Sequence, residues 1–357
     1  MIARRALLAG TTGLASQVFL PRTASAAPDK VTIMVGGYEK QIYLPAKLTE
    51  ALGYFKEQEL EVVLLNEEAG VDAENEMLAG AVQGVVGFYD HCVDLQTKGK
   101  AVMSVVQMSQ APGEVELVST KYPDVRSMAD LKGKILGVTG LGSSTNFLTQ
   151  YLMVKAGVKL GDFTSLPVGA GTTFIAAMQQ DKIQAGMTTE PTISRLLKTG
   201  QARILVDMRT MEGARQALGG TYPSSSLYMP AAWVEKNRPV VQKLANAFVR
   251  TLKYISTHSA AEIADKMPRD YYAGDKEMYV QALADGKGMF TSDGVMPEGG
   301  PDIRSRADQP SPGCRPVQAR RRSVTRPSSA SARPMSGSDA GSGTCTANTP
   351  MQPVVGQ

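Results

Sequence analysis

One run of this chain joins the residue types that hold an anion. From Lys132 to Asn146 a strand leads through Gly137, Gly140 and Gly142 into Ser143-Ser144-Thr145, which open an amphipathic helix. The unpaired backbone N–H groups of that first turn, the positive end of its dipole and three hydroxyls suit an anionic head group. The glycines let a ligand approach the backbone closely. No G-x-x-x-x-G-K-S/T run is present, so phosphate-hydrolysing chemistry is not expected. The plainer role of a serine here is to cap its helix, and the motif by itself leaves both roles open. Asp90 and Glu190 complicate the anion reading, because each follows a predicted strand and would repel a simple oxyanion. They suit an amine of a zwitterion or a ring nitrogen, and Asp90 also reads as solvated rim charge. Nucleophilic chemistry finds little support. His91 and Cys92 are adjacent, and consecutive side chains on a helix do not face each other. Cys92 reads as a small buried hydrophobe and His91 as a cap or surface residue, with His258 far away near a helix end.

What must position these residues is an alternation of strand and helix. Strands are predicted at 31–35, 60–65, 84–88, 101–106, 134–138, 163–168, 183–187 and 202–206. Between them, Leu44, Leu48, Ala51, Leu52 and Phe55 share one helical face, and further helices are expected at 71–82, 91–97, 143–156, 172–180 and 192–198. Phe147, Leu148, Tyr151 and Leu152 are assigned to the inward face of the 143–156 helix, which Gly157 stops. Ser127 and Asp130 form a capping box, and Pro191 and Gly200 bound the 192–198 helix. A long helix over 240–257 turns Val241, Leu244, Phe248, Leu252 and Ile255 inward. Such alternation means parallel sheets covered by helices. The helix starts near Tyr38 and Ser143 lie about a hundred residues apart, which predicts two α/β lobes, each with its own switch point. Glu114–Ser119 would carry the chain out and Ser225–Met229 would bring it back. No internal sequence repeat is visible.

The 357 residues hold 38 Lys+Arg, 34 Asp+Glu, two His and three Cys. The formal charge of +4 divides unevenly: residues 1–26 contribute +3 and residues 303–357 contribute +6, leaving −5 for the body. The basic total is therefore no sign of nucleic-acid binding. One body cysteine and two histidines exclude a disulfide framework and a Cys/His zinc site, so no metal and no cofactor is expected. Arg4-Arg5, a short apolar run to Leu20 and Ala24-Ser25-Ala26 read as a signal peptide over 1–26, cleaved near Ala26. General secretory and twin-arginine routes both remain open. Residues 303–357 contain nine Ser, seven Pro and eight Arg, with no Leu, Lys or aromatic residue, and are expected to be disordered. That bias is what a GC-rich gene yields out of frame, so a frameshift near codon 302 and a marginally stable product are expected. The alternative is a functional basic tail for an anionic surface.

Several segments together resemble the solute-binding proteins of ABC importers in the nitrate/sulfonate/taurine group, also called the thiamine-precursor-synthesis-like family. They are Tyr43-Leu44-Pro45-Ala46, Leu52-Gly53-Tyr54-Phe55-Lys56, Gly84-Val85-Val86-Gly87, the Lys132–Asn146 run, Val168-Gly169-Ala170-Gly171, Glu190-Pro191 and Pro230-Ala231-Ala232-Trp233. The resemblance implies a two-lobed periplasmic-binding-protein fold of type II, α/β, each lobe a mostly parallel sheet flanked by helices, with a hinge of two crossover strands. Lobe 1 would comprise 27–115 and 226–302, lobe 2 116–225. Carried across, Ser143, Ser144 and Thr145 would donate to the solute's head from lobe 2, with Thr189 and Glu190 beside them. Gly37, Tyr38 and Gln41 would face them from lobe 1, with Tyr89 and Asp90 at another strand end; both tyrosines could equally be packing residues. The implied partners are a small-molecule solute and an ABC permease of the inner membrane. The protein would be a periplasmic monomer, without nucleic acid. The related eukaryotic pyrimidine synthase uses a cysteine-rich stretch and a reactive histidine, which this chain does not match, so binding without catalysis is expected. A ligand-sensing subunit of a signalling receptor, or a non-functional frameshifted copy, are the alternatives.

Overall fold

A computed structural model describes residues 28–297 except Ala273. The signal-peptide, frameshift and tail readings lie outside the described residues. The chain first lays down β1 (Asp29–Val35), α1 (Leu44–Ala51), α2 (Tyr54–Glu57), β2 (Leu60–Asn66), α3 (Gly70–Leu78), β3 (Gly84–Phe88), α4 (Asp90–Thr97) and β4 (Val102–Gln107). It then builds β5 (Glu114–Ser119), β6 (Ile135–Val138), α5 (Ser144–Lys155), β7 (Thr164–Pro167) and α6 (Gly171–Gln179). This part continues with β8 (Ala185–Thr189), α7 (Thr192–Lys198), β9 (Ala202–Asp207) and α8 (Met211–Leu218). It returns through β10 (Ser225–Pro230) to α9 (Ala231–Lys236), α10 (Arg238–Thr257), α11 (Ala260–Ala264) and α12 (Lys276–Gly286).

Two five-stranded sheets result, ordered β2-β1-β3-β10-β4 and β7-β6-β8-β5-β9. The orders superimpose element for element, so the two lobes share one topology although no sequence repeat announces it. Each sheet is mixed: β10 runs antiparallel to β3 and β4, and β5 runs antiparallel to β8 and β9. The reason is connectivity, because the odd strand in each sheet enters from the other lobe and needs no crossover helix. The chain therefore passes between sheets at residues 108–113 and 219–224. Ser109, Ser224 and Ser225 are fully buried there. Their hydroxyls bond to one another, Ser109 Oγ lying 2.5 Å from Ser224 Oγ and accepting from Ser225 Oγ at 2.9 Å. Buried hydroxyls so paired fix the two passing segments side by side without leaving polar groups orphaned.

Apolar periodicity explains the rest. Val31, Ile33 and Val35 of β1 are buried, and α10 buries Val241, Leu244, Phe248, Leu252 and Ile255 as its 3.6-residue spacing predicts. Phe248 meets Phe55 edge-on at 5.4 Å between ring centroids, locking α10 onto the first lobe. The Gly53 region closes the helix that begins at Leu44, with Gly53 at φ +77°; Phe55 lies on the separate α2 turn, and Ala51 is exposed, not on the inward face. In α5, Leu148 and Leu152 are buried as expected. Phe147 instead turns to the other lobe, 6.2 Å from the His91 ring, and the Tyr151 hydroxyl donates to Leu218 O. The Ser127–Asp130 box forms, on a single 3-10 turn. The helices α8, α9, α11 and α12 were not foreseen. After α12, residues 289–294 run along the end of β4, with Gln107 N–H donating to Gly294 O and Thr291 N–H to Met108 O. Among the described residues no helix is long and apolar enough to cross a membrane.

Candidate functional site

The carboxyl ends of β1, β3, β6 and β8 point into the seam between the lobes, as open α/β sheets require of a binding crevice. At its floor lies a small cavity, about 10 Å³, bordered by Lys40, Tyr43 and Gly70 of lobe 1 and by Glu114, Ser143–Thr145 and Thr189 of lobe 2. Lys40 is buried, and its ammonium donates to Gly36 O and Glu68 O, both at 2.6 Å. Gly37 makes that fold-back possible: it sits at φ +122°, and a Cβ there would meet Lys40 Cε at 2.6 Å. Burial pulls the Lys40 pKa down to about 8, against the pull of Glu114. Glu114 is 2% exposed, and its Oε2 has no hydrogen-bond partner. Burial, then the Asp90 charge, raises its pKa well above the usual carboxylate range, favouring the protonated acid. The buried Thr189 Oγ1 also lacks a partner.

The first-turn hydroxyls of α5 are already in use. Ser143 does not cap its own helix; its Oγ accepts from Val71 N–H of lobe 1 at 3.4 Å. Ser144 Oγ donates to Asp90 Oδ1 at 2.9 Å, and Thr145 Oγ1 accepts from Thr139 N–H at 3.0 Å. Asp90 is thus fully buried, not a solvated rim charge, with Tyr222 OH donating to its other oxygen at 2.9 Å. The chain's own carboxylate takes the Ser144 hydroxyl that sequence reasoning offered to a ligand's head group. Gln41 N–H bonds Glu190 O across the seam at 3.1 Å, while the Gln41 amide turns away to donate to Tyr279 O. Glu190 is equally committed: Oε1 accepts from Arg209 at 2.9 Å and Oε2 accepts from Ser194 N–H at 2.9 Å. Tyr89 packs beside the Val85–Tyr228 cluster.

Above this floor the seam widens into a cleft of about 370 Å³, which Gly37 and Tyr38 border, with Lys40 between the two spaces. Glu39, Glu68, Asp270 and Tyr271 line the same cleft. So Ser143, Ser144, Thr145 and Thr189 border the floor and Gly37 and Tyr38 the cleft, while Gln41, Tyr89, Asp90 and Glu190 line neither. Sequence reasoning missed Lys40, Glu114 and the acidic mouth. Glu114 and Glu116 carried a signal, since two carboxylates alternate within an otherwise apolar strand. His91 is neither a cap nor a surface residue: it is buried, with Nδ1 2.6 Å from Glu74 Oε2. Among the described residues no group of three His, Cys, Asp or Glu is placed to hold a metal.

Residues 43–261 match the family model described as NMT1/THI5 like. A solved protein of Bordetella bronchiseptica RB50 is 35% identical, with a TM-score of 0.76 over 79% of this chain and 89% of its own. The alkanesulfonate-binding protein SsuA of Xanthomonas axonopodis pv. citri, solved bound to MOPS, is 18% identical, with a TM-score of 0.60 over 79% of this chain and 91% of its own. Among curated proteins, a 4-amino-5-hydroxymethyl-2-methylpyrimidine phosphate synthase of Legionella pneumophila is 23% identical over 46% of this chain and 50% of its own. The chain spans about half the length of the curated relatives it matches. The two-lobed periplasmic-binding-protein fold is shared with the solved neighbours.

Proposed function

From the premise that this chain belongs to the NMT1/THI5-like family, whose model spans most of the interlobe seam, we propose that it is a solute-binding protein of an ABC importer. It captures a small polar organic solute between its lobes and delivers it to an inner-membrane permease. On this reading residues 1–26 direct export and the mature protein works in the periplasm. The resemblance offers sulfonates, taurine-like zwitterions, nitrate-like anions and pyrimidine precursors as solute classes. One observation carries the reading: a cleft of about 370 Å³ opens at the seam between Gly37, Tyr38 and Glu68 of lobe 1 and Ala170, Thr172 and Thr173 of lobe 2. Small-molecule sites run from about 300 to 1,000 Å³, so a cleft of this size suits a small organic solute. Closure then follows from contacts to both lobes at once. Turnover is not proposed, because His91 and Cys92 are buried within lobe 1, the histidine held in its pair with Glu74.

A thermal-shift series with taurine, alkanesulfonates, nitrate, bicarbonate, hydroxymethyl-aminopyrimidine and a panel of organic amines tests the proposal. A ligand present at a hundred times its Kd stabilises the native state by about 2.7 kcal/mol, enough to move the midpoint by several degrees. A concentration-dependent rise with any of them is expected. A clean melt that none of them shifts speaks against a solute-binding role.

A further inference from the structure

The cleft above the floor has a charge pattern that the anion motif did not foresee. Glu39 and Glu68 border it from the segments after β1 and β2, and Asp270 closes its third side. None of the three carboxylates has an ion-pair partner among the described residues. Lys40, the one cation lining the cleft, is committed to two backbone carbonyls at 2.6 Å. Glu39 lies at the first turn of α6, where a Cβ on Gly171 would come within 2.6 Å of its Oε1, so the helix dipole offsets part of its charge. That turn's Gly171 N–H is already given to Thr192 Oγ1; Glu68 stands by the loop entering the same helix, its Oε2 3.3 Å from where a Cβ on Gly169 would lie, and the Lys40 ammonium acts on both glutamates.

A second, independent observation points the same way. Tyr271 lines this cleft, is 7% exposed, and its hydroxyl has no hydrogen-bond partner. Its ring lies 6.5 Å from that of Tyr38, and Lys47 Nζ already stands 6.0 Å from the Tyr38 centroid. Two tyrosine rings and three exposed carboxylates, set against one committed ammonium, leave the cleft net negative and form a place for a positive charge carried on a flat or apolar body. An oxyanion finds the reverse, since the α5 N-terminus already faces Asp90 through Ser144.

Resting on the solute-binding reading, we infer that the solute is an organic cation: its ammonium sits among Glu39, Glu68 and Asp270, its body lies against Tyr38 and Tyr271, and Thr172 and Thr173 meet it from the other lobe. The inference narrows the solute classes and excludes simple oxyanions such as nitrate.

The test uses the full chain in calorimetric and thermal-shift titrations with phenethylamine, choline, agmatine and spermidine. Each is matched by an uncharged or anionic counterpart, among them phenylethanol and phenylethanesulfonate. At least one cation is expected to bind and raise the melting temperature while its counterpart does not. The E39Q/E68Q double variant, its fold checked by circular dichroism, should lose about tenfold or more in affinity for that cation. Binding of sulfonates or nitrate without any cation overturns the cation assignment and leaves the solute-binding reading standing. No shift with any probe of either charge overturns both. Cation affinity unchanged in E39Q/E68Q overturns the assigned position.

Discussion

At the scale of single residues, the buried charges behave differently according to whether they have partners. Glu190 is 4% exposed and satisfied on both oxygens, with Arg209 supplying the counter-charge. Arg209→Met leaves that carboxylate buried without its cation. A loss of about 3 kcal/mol in urea unfolding is expected, largely recovered by adding Glu190→Met. A loss within error would show that the pair is solvated after all. Glu116 is the opposite case. It is fully buried, bonded on one oxygen by Thr149 at 2.9 Å and on the other by nothing, and burial pushes its pKa up to about 8. Its unfolded value is the ordinary 4.5, so the folded state holds this proton more tightly. The stability it contributes is complete below the unfolded value and is lost as pH rises through about 8. Glu116→Gln can keep the Thr149 bond and does not titrate. Urea midpoints at pH 5, 6.5 and 8 should therefore show the variant gaining on the wild type as pH rises, by more than about 1 kcal/mol at pH 8. Parallel pH profiles for the two proteins would rule this out.

At the scale of elements, legibility followed periodicity. The strands and α10 were readable because their apolar residues repeat at 2.0 or 3.6 over enough length to stand out. Short helices such as α8 (MEGARQAL) and α11 (AAEIA) hold only a turn or two, and their helicity depends on what they dock against. The mixed character of both sheets was illegible for another reason: a strand's direction depends on where the chain comes from, not on its own residues. Among the site residues, the glycine-to-serine run singled out Ser143, Ser144 and Thr145 from pattern, while Thr189 came through the family resemblance, with which the strand-end rule agreed. Neither could tell which hydroxyls were already used, because the partners Asp90 and Val71 lie more than fifty positions away. Lys40 stayed hidden because a lysine in a glycine-rich turn ordinarily points to water. Only the tertiary placement of the Gly36 and Glu68 carbonyls holds it inside.

At the scale of the whole molecule, few bonds among the described residues hold the closed seam: Ser144 to Asp90, Val71 to Ser143, Gln41 to Glu190, and the exposed Lys198–Asp275 ion pair between α7 and the start of α12. Among the described residues the chain passes between the sheets twice, so the lobes can separate without disturbing either sheet, and closure should respond to small changes at the seam. Gly140 is the sensitive point. It is buried after β6, and a Cβ there would lie 3.0 Å from Ala69 Cβ of the other lobe and 3.3 Å from Val71 Cγ1. Its φ is not in the left-handed region, so a larger side chain meets no backbone strain of its own; it meets the opposite wall and, at 3.0 Å, the Ser143 hydroxyl that itself bonds across the seam. Gly140→Val therefore acts as a wedge. Its two added methyls have no room while the lobes touch, and opening relieves the clash more cheaply than repacking a close-packed interior. Small-angle scattering should give the variant a larger radius of gyration than the wild type. A solute that contacts both lobes should bind it about tenfold or more weakly, because the binding-competent closed state is less populated. The melting temperature should change little, since neither core is touched. If the radius and the affinity both match the wild type, the seam is not where the molecule closes, and the two passages between the sheets do not act as its hinge.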